Sequence, residues 1–171
     1  MTDLTMSNIT AARGLGWLSM AIAAAEIAAP RWLQDELGLR DNHDTLVRAM
    51  GAREAAAGVT ILGQPGLTPG LVAGMWSRVA GDALDLALLG AAATKTTRPE
   101  NVAVATAMVV GITIADLAVA LRLQLDLNQA KLTAQRTKVS TDRPFNLPSK
   151  QGGRVASSSV LGETGAPAAN I

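Results

Sequence analysis

The sequence predicts an all-α fold: a four-helix transmembrane bundle with a disordered basic C-terminal tail. Three observations lead there. Of 171 residues, 49% are apolar but only 2% aromatic. The apolar share therefore rests on Ala, Leu, Val, Ile and Gly, which suit close helix packing and cannot furnish an aromatic sandwich core or a base-stacking platform. These residues gather into four Ala- and Gly-rich stretches, near 10–29, 48–63, 67–94 and 101–127. Across 102–121 the only charge is Asp116, so the fourth stretch is apolar nearly all round, whereas a surface helix of a soluble domain carries a charged face. Four such helices cannot all be central in so short a soluble chain, and lipid on the outside is the economical arrangement.

Each stretch has its own punctuation. The first is stopped by Pro30 and Arg31, and its core without basic residues, 14–29, is 16 residues long, about 24 Å of helix against a hydrocarbon layer of about 30 Å. The second carries Arg53 and Glu54 and has the weakest hydropathy of the four. A charge-free turn with two prolines, 64–70, follows and marks a tight connection between antiparallel neighbours. The third and fourth stretches are each long enough to span with tilt, about 40 Å if fully helical. Trp17, Trp32 and Trp76 fall near the ends of apolar stretches, where amphipathic rings prefer to lie.

The character changes after Asn128. Lys131, Arg136, Lys138, Arg143, Lys150 and Arg154 are scattered among Ser, Thr, Gly and Pro, opposed by Asp142 and Glu163. This divides the chain into a membrane domain, 1–127, and a polar segment, 128–171, read as a fraying extension to Lys138 followed by the disordered tail. Two alternatives compete at this level. A mean hydropathy of +0.24 permits an Ala-rich soluble bundle, and Arg13 followed by an apolar run and Ala23-Ala24-Ala25 resembles a signal peptide. Asp3 and the three downstream stretches favour a retained first helix.

Charge and motifs narrow the function. Fifteen basic against fourteen acidic residues advertise no polyelectrolyte, so no nucleic-acid partner is expected. With no Cys and one His, thiolate chemistry and Cys-type zinc sites are excluded. His43 lies in the polar segment between the first two stretches and reads as a solvated loop residue. Carboxylates on every helix bring di-iron bundles to mind, but their Glu-x-x-His spacing is missing, so neither a metal nor a cofactor is expected. No nucleophile elbow, P-loop, dinucleotide fingerprint or HExxH occurs, and an enzyme is disfavoured.

The candidate centre is the set of charges inside the apolar runs: Glu26, Arg53, Glu54, Arg78, Asp82, Asp85 and Asp116. Charges at membrane depth should face the bundle interior and find partners. Arg78, Asp82 and Asp85 are spaced four and three apart, which puts them on one helix face with Asp82 as the expected partner of Arg78. Arg53 and Glu54 point about 100° apart and are expected to serve different neighbours. The centre reads either as a neutralising network that fixes helix register or as a binding site for a proton, cation or ligand. Small residues suggest packing faces: Gly70 and Gly74 as a GxxxG pair, and Ala103, Ala107, Gly111 and Ala115 at every fourth position.

The segments beginning at Ala12 (Ala-Arg-Gly-Leu-Gly-Trp-Leu-Ser), Ala25 (Ala-Glu-Ile-Ala-Ala-Pro-Arg), Met50 (Met-Gly-Ala-Arg-Glu-Ala-Ala-Ala-Gly-Val) and Trp76 (Trp-Ser-Arg-Val-Ala-Gly-Asp-Ala-Leu-Asp-Leu) resemble small bacterial four-helix membrane proteins of unknown function. They are also similar to membrane regions fused ahead of polyketide cyclase/dehydrase-like lipid-binding domains. The resemblance covers 11–123, with 78–85 as its most specific part, and implies that the seven centre residues occupy positions charged across that family. It implies a membrane fold and no particular reaction. Nothing after Asn128 could form a cyclase-like domain.

The expected function is an accessory or scaffold subunit of the bacterial inner membrane that packs through small-residue faces, alone as a homo-oligomer or in a larger complex. The alternative is a small carrier or binding module for a proton, cation or apolar ligand. Cations beside the apolar stretches tie at five per side, and the distal tail cations lean both termini toward the cytoplasm.

Overall fold

The computed structural model describes residues 2–40 and 42–141. Among these there are five helices and no strand: α1 (Thr2–Ala28), α2 (Pro30–Glu36), α3 (Asp44–Leu62), α4 (Pro69–Ala93) and α5 (Pro99–Thr141). The four apolar stretches correspond to α1, α3, α4 and α5. Two of the boundaries follow from proline. Pro30 pushes Ala29 out of helical geometry (φ −133°, ψ 49°) and ends α1. Pro69 opens α4, whose first turn is capped by Thr68: its Oγ1 accepts from the Leu71 N–H at 3.1 Å.

The structure refines three expectations. The polar segment after Pro30 is not simply a loop, because α2 forms there around the buried Gln34. Gln34 Nε2 donates to Asp44 Oδ1 (2.9 Å) and to the Pro30 carbonyl (3.1 Å), and its Oε1 accepts from the His43 N–H (2.7 Å). Gly38, at φ +66°, turns the chain after α2. Its carbonyl and that of Leu37 accept from Thr97 and Thr96, tying the α2–α3 connection to the α4–α5 connection. The second is at residue 128: α5 runs through it to Thr141, three residues past the helical extension to Lys138 that the sequence implies, so the change there is one of composition. The tail from 142 onward lies outside the described residues.

The third concerns the small residues. Ala103, Ala107, Gly111 and Ala115 are all exposed on the outer side of α5 and make no helix interface within the chain. Gly70 packs on the Gln64 side chain in the turn, and only Gly74 meets a neighbouring helix, at Ile61. The close helix approach occurs elsewhere, between α1 and α3. A Cβ at Gly58 would come within 3.0 Å of the Gly16 carbonyl oxygen and the Met20 sulfur, so side chains larger than hydrogen force these helices apart.

The long helices pack in a ring in the order α1, α3, α4, α5, with α1 against α3 and α4 against α5 as the most extensive pairings. One end of the ring is closed by a dry core in which Ile9, Ala12, Ile61, Leu71, Met75, Ala120 and Leu123 pack together. The outside is apolar as well: Trp17, Val59, Trp76, Leu84, Val104, Met108, Ile114 and Leu121 are exposed. Among the described residues one helix, over Pro99–Lys138, is long and apolar enough to cross a membrane, and only 17% of its most apolar window is buried inside the protein. Trp17 is mid-helix, because α1 begins earlier than expected, yet it lies about one turn from the exposed Arg13.

Gly58→Val should lower stability by about 1–3 kcal/mol through overpacking against Gly16. Thermal unfolding of the purified protein measures this, and an unchanged midpoint would mean that α1 and α3 are not in such close contact.

Candidate functional site

Midway along the ring, one face from each long helix meets in a charged layer. On α1, Ala12, Gly16, Ser19 and Ala23 are buried in a stripe of small residues that ends at half-buried Glu26. The spacing of four and three keeps them on one face. This stripe admits the long side chains of the other helices to the centre. α3 contributes Arg53 and Glu54, α4 contributes Arg78, Asp82 and Asp85, and α5 contributes Asp116.

Arg78 is the hub, with 1% of its side chain exposed. Its Nε donates to both Asp116 oxygens (3.1 and 3.0 Å) and its Nη2 lies 2.8 Å from Asp116 Oδ2, a forked contact in which the acid is fully buried. Its Nη1 donates to Glu54 Oε2 (3.2 Å) and to Ser19 Oγ, while the Ser19 hydroxyl itself donates to Glu54 Oε2 at 2.7 Å. A single guanidinium on α4 thus touches α1, α3 and α5.

Arg53 makes a second, more open cluster. Its Nη2 donates to Glu54 Oε1 (2.9 Å) and to Asp85 (3.1 and 2.9 Å), and its Nη1 donates to the Gly81 carbonyl at 3.0 Å. Gly81 makes room for it: a Cβ there would stand 2.9 Å from the guanidinium carbon. Glu54 therefore bridges both arginines: Arg53 and Glu54 serve different neighbours, Asp85 and Gly81 against Arg78 and Ser19, and also pair with each other.

The spacing-based pairing of Arg78 with Asp82 does not occur. Arg78 is turned toward α3 and α5, and among the described residues Asp82 makes no ion pair. Asp82 lies beside Asp116 and Thr113 and is only 5% exposed, yet its Oδ2 is buried without a hydrogen-bond partner. Glu26, near Asp85, Glu54 and Arg53, likewise has a buried Oε2 with no partner. Five carboxylates face two guanidiniums, and the two acids left over are these. Among the described residues no group of three acids or imidazoles is arranged to hold a metal ion.

Above this layer, away from the dry core, a cavity of about 500 Å³ opens between the helices. Its floor is formed by Glu26, Glu54, Arg78, Asp82 and Asp85, and its walls by Ile22, Met50, Leu88, Leu89, Met108 and Val109 among others. It extends to Leu37, Leu39, His43 and Lys95 at the α2 end, so His43 is a rim residue as well as an exposed one. At this polar end Arg31 Nε donates to Asp44 Oδ2 at 3.0 Å.

The structure places the seven charges in one layer, with Ser19 and Gly81 in it and Gln34 at the α2 end, three residues that sequence reasoning did not name. Ser19 carried a signal, since it falls in the small-residue stripe that leads to Glu26. Compared with protein-family models, with curated proteins and with solved structures, the chain shows no significant match to any. The site must be interpreted from its own chemistry.

Arg78→Ala should cost about 3–5 kcal/mol, because it strands Asp116 in the interior without a cation. Asp85→Asn should cost far less, since the Arg53–Asp85 pair is partly exposed. Adding Asp116→Asn to Arg78→Ala should recover part of the loss. Thermal melts of the two single variants and the double separate these outcomes, and equal small effects in all three would place Arg78 in contact with solvent.

Proposed function

We propose that this chain is an integral membrane protein of the bacterial inner membrane. In this reading α1, α3, α4 and α5 cross the bilayer as a four-helix bundle enclosing a binding site for a small, largely apolar ligand. Helix length supports the spanning role. The shortest of the four, α3 at 19 residues, reaches about 28 Å, close to the thickness of the hydrocarbon layer. On α5 the exposed apolar residues between Val104 and Leu121 are bounded by charges at Arg98 and Arg122. The other three helices score lower in hydropathy because they carry the central charges, but those charges are turned inward. The resemblance to small bacterial four-helix membrane proteins agrees with this placement.

The observation that carries the binding role is the cavity. About 500 Å³ lies in the range of small-molecule sites, which are mostly apolar with a few placed polar groups. A purely architectural bundle has no need of such a void, since unfilled space forfeits packing energy. This favours a carrier or binding module over a scaffold. The scaffold reading retains one specific observation, the exposed small-residue stripe Ala103, Ala107, Gly111 and Ala115, through which a second copy or a larger complex could pack.

Alkaline carbonate washing should leave the protein in the membrane pellet, and its release into the soluble fraction would end this reading. Decylamine, decanol and decanoic acid, offered to the purified protein and counted by native mass spectrometry, should include at least one probe retained at a single saturable site. Ala105→Phe, which fills a wall of the cavity, should reduce that retention by on the order of tenfold.

A further inference from the structure

We infer that the cavity takes an organic cation: a molecule with one protonated amine on an apolar body, the amine held between Asp82 and Glu26. The inference rests on the reading of the cavity as a binding site and names the chemistry of what enters it.

Every side-chain nitrogen of Arg78 is engaged by Asp116, Glu54 or Ser19, and both Arg53 terminal nitrogens are engaged by Glu54, Asp85 or Gly81. Each terminal nitrogen of both arginines is thus already held by a partner other than Asp82 or Glu26. Among the described residues Asp82 and Glu26 have no ion-pair partner, and each holds a buried oxygen, Oδ2 and Oε2, with no hydrogen bond. Both side chains line the floor of the cavity, and Asp82 is more than nine-tenths buried. A buried carboxylate oxygen without a donor is costly. A group entering the cavity lowers that cost by bringing hydrogen-bond donors, and lowers it most when it also brings positive charge. An alkylammonium brings both, with three N–H groups able to reach two acceptors at once.

Other ligand classes fit less well. A carboxylate or phosphate head on the floor would meet four acids. With its head at Lys95 on the rim, an anionic amphiphile would lay its tail against the charged floor. A neutral alcohol supplies one donor and no charge. A metal ion lacks the converging ligands it needs among the described residues. The third buried orphan, Arg53 Nε, does not line the cavity and says nothing about its occupant. The apolar walls, with Leu88, Met108 and Val109, suit the body of the molecule.

The same three probes test this in the full-length protein by native mass spectrometry with affinity titration. Decylamine should bind on the order of tenfold more tightly than decanol, and decanoic acid should bind weakest. Asp82→Asn and Glu26→Gln should each erase the preference for the amine while retaining decanol. If one variant fails to fold, as judged by its thermal melt, the other decides. Equal binding of the three probes, or preference for the acid, overturns the cation inference and leaves the cavity as an apolar site. Preference for the amine that survives in the folded variants also overturns it, because the charge recognition then lies elsewhere. Retention of none of the probes, or retention unaffected by Ala105→Phe, removes the binding-site reading itself.

Discussion

The arrangement depends on one buried guanidinium. From α4, Arg78 hydrogen-bonds Ser19 on α1, Glu54 on α3 and Asp116 on α5, so a single side chain relates all four long helices. In a protein rich in Ala and Gly this matters more than in an ordinary core. Small apolar side chains offer few shape keys, and helices lined with them can slide by a turn at little cost. A planar fork of N–H donors accepts its partners in few geometries. The energetic return is not large, since desolvating both ions offsets most of their attraction. What the hub supplies is a penalty for every alternative register, because each would leave a buried charge unpaired.

The hub also divides the ring. On one side Ile9, Ile61, Leu71, Met75 and Leu123 close the interior with dry packing. On the other, the layer of charged heads keeps the helices from collapsing, and α2 spans the gap, braced by Gln34 and by the threonines of the α4–α5 connection. The cavity lies between the layer and this brace. It is a geometric consequence of placing charged side chains on all four helices at one level.

Much of this was legible in the sequence, and the misses have physical causes. Four apolar stretches gave the four long helices because hydropathy reports length and composition well. The short α2 was not legible, since its order comes from tertiary hydrogen bonds of Gln34 and not from periodicity. The seven charged residues were recognisable as a group because charges are rare in such stretches. Their pairing was not. Spacing of four within a helix favours Arg78 with Asp82, but an intrahelical pair contributes little, about 0.5 kcal/mol, and the forked contact to Asp116 outweighs it. The stripe Ala103, Ala107, Gly111, Ala115 illustrates the same limit: period four defines a face without saying whether it turns inward.

The two acids that spacing could not place are the informative ones. If the centre served only to fix register, evolution of a minimal network would need Arg78, Asp116, Glu54 and Ser19, which satisfy one another. Asp85 extends this set through Arg53. Asp82 and Glu26 add two more acids to a layer that already sets three carboxylates against two guanidiniums, and they add them on the side that faces the cavity. In a low-dielectric interior, surplus like charge raises the energy of the empty protein. A ligand that neutralises it recovers that energy on binding, so the strain contributes to affinity and selects for charge. On the proposed reading, the structural and the binding roles of the centre fall to different residues: the acids paired with arginine hold the helices, and the two that are not address the cavity.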